Sequence, residues 1–124
     1  MTAMNFVTVF YIPHEMLDSK VDDVDRKDWD SFLYKRKRCW GFFEKESDAE
    51  KCIKENWTDI YECGYYNLAI IESMSEGICN HNKNIRWFTV APILNHDRCI
   101  EDYDIKELDE TPKRFTSYIG FSLG

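Results

Sequence analysis

The chain has 124 residues, of which 44% are hydrophobic and 15% aromatic, and its formal net charge is −7 at pH 7. This length fits a single domain with a core of its own, and the aromatic content excludes an intrinsically disordered chain. The acidic balance argues against binding to duplex DNA or RNA, which requires a basic face, so we expect no such partner.

The sequence also favours a cytoplasmic protein. It contains no run of about 18 apolar residues and no basic, then apolar, N-terminal leader, so we expect neither a membrane partner nor secretion. Its five cysteines are odd in number and lie among core-like neighbours, which is typical of a reducing compartment. We therefore expect one soluble domain over residues 1–124.

The first elements in chain order are a strand and a long acidic segment. Residues 4–13 are β-branched and aromatic with apolar side chains on both faces, which predicts a central or covered strand that ends at proline. Residues 14–33 are polar and acidic and predict a long loop or insertion, with a short helix conceivable near residues 25–33.

A second strand and the main helix follow. Residues 34–43 predict a strand in which Arg36, Arg38, Trp40 and Phe42 share one face, and Gly41 indicates either a bulge or a close backbone approach. The sequence Ser47-Asp48-Ala49-Glu50 predicts a capping box at the start of an amphipathic helix over about 47–57. The apolar positions Ala49, Cys52, Ile53 and Trp57 recur at helical spacing and predict the stripe that faces the sheet.

Three further strands are predicted over residues 65–74, 85–94 and 116–124, with a helical turn over 104–110 before Pro112. The expected fold is therefore α+β, a mostly antiparallel β-sheet of about five strands with one main amphipathic helix packed on one face.

Catalytic signatures are weak. The three histidines, His14, His81 and His96, lie in no nucleophile context, and Cys63 has no nearby base, so we expect the protein not to be an enzyme. The spacing Cys79-x-His81 and His96-x-x-Cys99 resembles a zinc set, but Cys-x-His is an uncommon half-site. We expect no metal and no cofactor.

The aromatic and basic side chains support a nucleotide-binding function better than the weak catalytic signatures support an enzyme. Nucleotides are held by stacking side chains and by basic groups that meet phosphates, and an amide can contact a base edge. The alternative for each aromatic residue is an ordinary place in the core, with the arginines on an exposed sheet face. The candidate ligand-binding residues are Arg36, Arg38, Trp40, Tyr65, Tyr66, Asn67, Arg86 and Trp87.

Residues 38–88 contain the motifs on which a resemblance to a protein family is based. They contain a W-G-F strand, an N-x-x-D-I-Y-E link, a Y-N-x-A-I-I-E strand and a late W-F pair, and the chain closes on IGFSLG. This outline resembles small phage proteins of the anti-CBASS sponge type. The acidic segment 14–33 departs from that outline.

The resemblance implies a phage immune-evasion protein that binds cyclic dinucleotide signals, such as 3′3′-cGAMP, without cleaving them. It also implies a homo-oligomer, a dimer or tetramer, in the host bacterial cytoplasm. The alternative is an acidic protein-inhibitor module, in which segments 18–30 and 101–110 engage a basic face of a host defence or nucleic-acid enzyme.

Overall fold

A computed structural model describes residues 3–12, 37–75 and 85–109 of the chain. These residues form five strands and one α-helix, in agreement with the predicted α+β class. The elements in chain order are β1 (Ala3–Phe10), β2 (Lys37–Phe43), α1 (Glu46–Glu55), a 3-10 turn (Trp57–Asp59), β3 (Leu68–Ser75), β4 (Ile85–Leu94) and β5 (Ile100–Glu107).

The strands form one antiparallel sheet in the order β2-β1-β3-β4-β5. The predicted central position of β1 is confirmed, because β2 and β3 pair with its two edges. Both of its faces are also buried: Val7 and Val9 contact the helix-side core, whereas Phe10 and Ile12 are fully buried without belonging to that core. Buried faces on both sides explain why β1 shows no apolar–polar alternation.

Helix α1 packs across β1 and β3. Ala49, Cys52 and Ile53 are buried, as the helical spacing predicts. Glu46 and Asp48 lie in the first turn, where a carboxylate interacts favourably with the helix dipole.

The ends of α1 differ by one or two residues from the predicted range of about 47–57, and the predicted capping box does not form. The helix begins at Glu46, one residue before the predicted start, so Ser47 is already helical and the capping position falls on Lys45, which makes no side-chain cap. It ends at Glu55 because Asn56 adopts a left-handed conformation with φ 50°. Trp57 consequently leaves the buried stripe and is 38% exposed.

Strand β2 contains the bulge that Gly41 indicated, and this bulge corrects the predicted faces of the strand. Val7 pairs with Gly41 and Thr8 with Cys39, so Trp40 is the extra residue. Trp40 therefore packs toward the helix-side core. Phe42, which was predicted on the same face as Trp40, does not pack against this core. Its ring contacts Phe6, with ring centroids 6.1 Å apart.

The structure also differs from the prediction in the C-terminal part of the described chain. Residues 104–107 belong to strand β5 and not to a helical turn, and β5 forms a long antiparallel ribbon with β4. The predicted segments 14–33 and 116–124 lie outside the described residues, as do residues 34–36 of the second predicted strand. In the described part of the chain, no helix has the length and apolar character that crossing a bilayer requires.

Candidate functional site

The site begins with the link between α1 and β3, residues 56–67, whose backbone is unusual. Left-handed conformations are rare outside glycine and cost about 1–3 kcal/mol each. The link contains six such residues, of which only the last is a glycine: Asn56, Thr58, Asp59, Glu62, Cys63 and Gly64. A chain segment with this many unfavourable residues requires strong local contacts to hold its shape.

Side chains of the link supply those contacts. The Asp59 carboxylate accepts a hydrogen bond from the Cys63 N–H at 3.2 Å, and the Asn56 side-chain oxygen accepts one from the Tyr61 N–H at 3.3 Å. Gly64 has φ 87°, and a Cβ atom there would lie 3.0 Å from Ile100 Cδ1, so any larger residue would be both strained and crowded.

Tyr61 fixes the link to the helix. Its hydroxyl donates to the Ile53 carbonyl oxygen at 2.6 Å, and its ring is fully buried. Burial raises the pKa of the Tyr61 hydroxyl far above its ordinary value, so this donor remains protonated at any physiological pH. The link is therefore a rigid platform.

Arg38 and Trp40 of β2 lie beside this platform. The Arg38 guanidinium carbon is 4.5 Å from the centre of the Trp40 ring, which is a cation–π geometry. The same guanidinium lies 3.5 Å from a Glu62 carboxylate oxygen. Both partners of this ion pair are about half exposed, so the pair is weak and open to an incoming ligand.

Three tyrosines continue the same surface. Tyr65 stacks on Tyr11 with centroids 4.9 Å apart and planes 15° apart, and it meets Tyr66 edge-on at the same distance. Tyr65 is 47% exposed, whereas Tyr66 is buried. Burial, reinforced by Glu62, raises the pKa of the Tyr66 hydroxyl. We call Arg38, Trp40, Tyr65 and Tyr66, together with Tyr11 and Glu62, the aromatic–arginine cluster.

Asn67 and Trp87, two other predicted site residues, are engaged in the fold. The Asn67 amide accepts a hydrogen bond from the Ile12 N–H at 2.9 Å and donates to the Ile12 carbonyl at 2.5 Å, so it extends the β1–β3 ladder. Trp87 is buried, and because Phe88 packs toward the helix, Trp87 points to the opposite sheet face.

The Arg86 guanidinium is also held within the fold, by ion pairs to carboxylates. Its guanidinium makes two hydrogen bonds to Glu107, at 2.7 and 2.8 Å, and further contacts to Glu46 at 3.1 Å and Glu50 at 3.5 Å. These carboxylates, with Glu107 first, raise the pKa of Arg86, and Arg86 in turn lowers the pKa of Glu107. Arg86 thus ties α1 to β4 and β5. We call this set the Arg86 ion-pair network.

The aromatic–arginine cluster therefore brings together four of the eight predicted residues. Arg36 lies outside the described residues. The sequence interpretation missed Tyr11 and Glu62. Glu62 is the last residue of the N-x-x-D-I-Y-E motif, so the motif contained a signal for it. Nothing in the sequence around Tyr11, which follows β1 directly, distinguishes it from a core tyrosine.

A separate groove of about 570 Å³ lies between the end of α1 and the start of β5. Its lining includes the four carboxylates of Glu55, Asp59, Glu101 and Asp102 against one cation, Lys54. A groove with this balance repels phosphates and favours cationic partners.

The predicted metal-like set is only partly described. His96 and Cys99 lie in the turn between β4 and β5, whereas Cys79 and His81 lie outside the described residues. Within the described residues, no group of three histidine, cysteine, aspartate or glutamate side chains is arranged so that it could hold a metal ion. The absence of a metal stays a prediction.

Comparisons with known protein families, with curated proteins and with solved structures find no match for this chain.

Proposed function

We propose that this protein binds a cyclic dinucleotide, such as 3′3′-cGAMP, at the aromatic–arginine cluster and holds it without cleaving it. The observation that carries the proposal is a weakly paired arginine whose partner, Glu62, shares a turn with a half-exposed tyrosine that stacks on a second tyrosine.

Each part of the cluster suits one part of such a ligand. A base stacks on the exposed ring of Tyr65, which is already oriented by Tyr11, at a gain of about 1–3 kcal/mol. Arg38 exchanges its weak pair with Glu62 for a phosphate, and charge-assisted hydrogen bonds of this kind contribute about 1.5–3 kcal/mol. The Trp40 ring contacts the guanidinium at 4.5 Å and helps to position it.

These magnitudes favour an oligomer. One stacked base and one phosphate contact give about 2.5–6 kcal/mol before ordering costs, whereas a micromolar complex requires about 8 kcal/mol. A cyclic dinucleotide carries two bases and two phosphates, so two clusters related by a two-fold axis supply each contact twice. We therefore propose a homo-oligomer with dimeric binding sites.

The biological role follows from the resemblance to phage anti-CBASS sponges. Rings and a guanidinium bind a nucleotide, but they do not by themselves activate a water molecule for hydrolysis. Sequestration of a defence signal in the host bacterial cytoplasm is therefore the role that we propose.

A ligand-retention experiment tests this function. The purified protein is incubated with a panel of cyclic dinucleotides and linear dinucleotides, passed through a desalting filter and heated, and the released compounds are identified by chromatography. We expect an intact cyclic dinucleotide to be retained and released. Release of a cleaved product would indicate an enzyme, and no retention across the panel would contradict the proposal.

The acidic groove favours a second candidate, a protein-inhibitor module. Together with the acidic strand β5 it offers a negative surface to a basic enzyme, and such association is fast and sensitive to salt. This candidate predicts no ligand retention. It predicts instead inhibition of a nucleic-acid enzyme that weakens at high salt and in the charge-reversal variant Asp102→Lys.

A further inference from the structure

We infer that Glu62 is a specificity-determining residue that selects guanine over adenine in the bound nucleotide. This inference rests on the proposed function, since it assigns a base to the ligand of the same site. It starts from an anomaly: a carboxylate stands at the centre of a cluster proposed to bind an anion, 3.5 Å from the arginine of that cluster.

A carboxylate at a phosphate site weakens binding by like-charge repulsion unless the ligand gives it hydrogen bonds. Among the standard bases, guanine presents two adjacent donors on its Watson–Crick edge, N1–H and the N2 amino group. Adenine presents one donor beside an acceptor. A carboxylate with two acceptor oxygens therefore matches guanine and opposes adenine.

The position of Glu62 allows this contact. The Tyr65 N–H donates to the Glu62 carbonyl oxygen at 3.3 Å, so the two residues belong to one turn. The Glu62 carboxylate interacts with the hydroxyl of Tyr66, whose ring meets the proposed stacking ring of Tyr65 edge-on at 4.9 Å. The Glu62 side chain is 42% exposed, which leaves its oxygens accessible to a base edge.

The backbone also fixes Glu62 in place. Glu62 has φ 46° and is followed by two more left-handed residues, Cys63 and Gly64. Its own N–H donates to the Asp59 carbonyl oxygen at 3.0 Å. Because the main chain is held on both sides, this turn is already formed before the ligand arrives, which reduces the ordering cost of binding.

The test compares affinities for cyclic di-GMP and cyclic di-AMP, measured by calorimetry, for the wild type and for Glu62→Gln. This substitution keeps the size of the side chain but replaces one acceptor oxygen with a donor. We expect the wild type to prefer cyclic di-GMP by roughly 10-fold to 100-fold, the discrimination typical of a two-hydrogen-bond base contact. In Glu62→Gln this ratio should fall below about 3-fold, mainly through weaker binding of cyclic di-GMP.

Two control variants separate base selection from other effects. Glu44→Gln removes an exposed carboxylate near the end of β2 and should leave the ratio unchanged. Arg38→Met should weaken both ligands by a similar factor, because phosphates are common to both. A merely structural role of Glu62 would likewise move both affinities together, so the ratio is the informative quantity.

The outcomes distinguish the two proposals. Equal wild-type affinities for the two ligands, or an unchanged ratio in Glu62→Gln, would overturn the role of Glu62 and leave the binding function standing. If neither these two nor any other cyclic dinucleotide binds the wild type, the proposed function fails, and the inference about Glu62 fails with it.

Discussion

Arg38 and Arg86 both precede a tryptophan closely in the sequence, and both face the helix side of the sheet, yet their surroundings differ. Arg86 is surrounded by three carboxylates from α1 and β5, and its side chain is 27% exposed. Within the described residues, Arg38 has one carboxylate partner, at 3.5 Å, and its side chain is 54% exposed. An arginine near an aromatic residue is therefore a candidate for ligand binding only when its fold partners leave the guanidinium accessible.

The largest effect should follow from removal of Arg86. Arg86→Met leaves Glu46, Glu50 and Glu107 close together without their shared cation, so we expect the free energy of unfolding to fall by about 2–4 kcal/mol. Urea denaturation at pH 7, followed by tryptophan fluorescence, measures this loss.

Arg38→Met is the matched control for that experiment. Because its ion pair is exposed, we expect a change of less than about 1 kcal/mol in the free energy of unfolding. Equal losses in the two variants would contradict the distinction between a structural and an accessible arginine.

The next effect concerns the exposed ring of the cluster. Tyr65→Ala removes the proposed stacking surface, so cyclic dinucleotide affinity should fall by about 1–3 kcal/mol, whereas Tyr65→Phe should bind as the wild type does. Calorimetric titration of both variants checks this. If Tyr65→Phe loses as much affinity as Tyr65→Ala, the hydroxyl and not the ring face carries the contact.

Acidification should weaken the Arg86 network selectively. Hydrogen bonds from Arg86 hold the pKa of Glu107 below its ordinary value of 4.5, and those from Lys54 and then Arg86 do the same for Glu50. The unfolded chain binds more protons in this range, so the stabilisation is complete above about pH 5 and is lost as the pH falls through the depressed values. The difference in free energy of unfolding between wild type and Arg86→Met should therefore shrink between about pH 5 and about pH 3. A constant difference would contradict the network.

A moderate effect on stability should come from Trp57, which follows α1 in the chain. Its ring meets Phe43 edge-on with centroids 5.9 Å apart but remains partly exposed. Trp57→Ala should lower the free energy of unfolding by about 1–2 kcal/mol, whereas Ile53→Ala, a fully buried control, should cost about 2–5 kcal/mol. If Trp57→Ala loses more unfolding free energy than this, Trp57 contributes to the core as its helical spacing predicted.

The sequence is informative about patterns that depend on near neighbours. The buried stripe of Ala49, Cys52 and Ile53, the double-faced strand β1 and the bulge beside Gly41 all follow from local spacing and composition. The early end of α1 does not, because it depends on Asn56 adopting a left-handed conformation that many asparagines do not adopt.

The site was harder to predict because its members meet through long-range pairing. Arg86 is 40 residues from Glu46 and 21 from Glu107, so nothing near it in the sequence shows that it is engaged. Asn67 reaches Ile12 across 55 residues in the same way. The pairing of basic and aromatic side chains in the sequence did indicate Arg38, Trp40, Tyr65 and Tyr66, but which of them are accessible depends on the left-handed link.

The most direct test of the central claim is a calorimetric titration of 3′3′-cGAMP into wild type and Arg38→Met, with matched thermal melts to confirm that both are folded. We expect the wild type to bind 3′3′-cGAMP and Arg38→Met to bind it at least about 10-fold more weakly, because one charge-assisted phosphate contact is lost. Equal affinities in the two folded proteins would contradict the central claim.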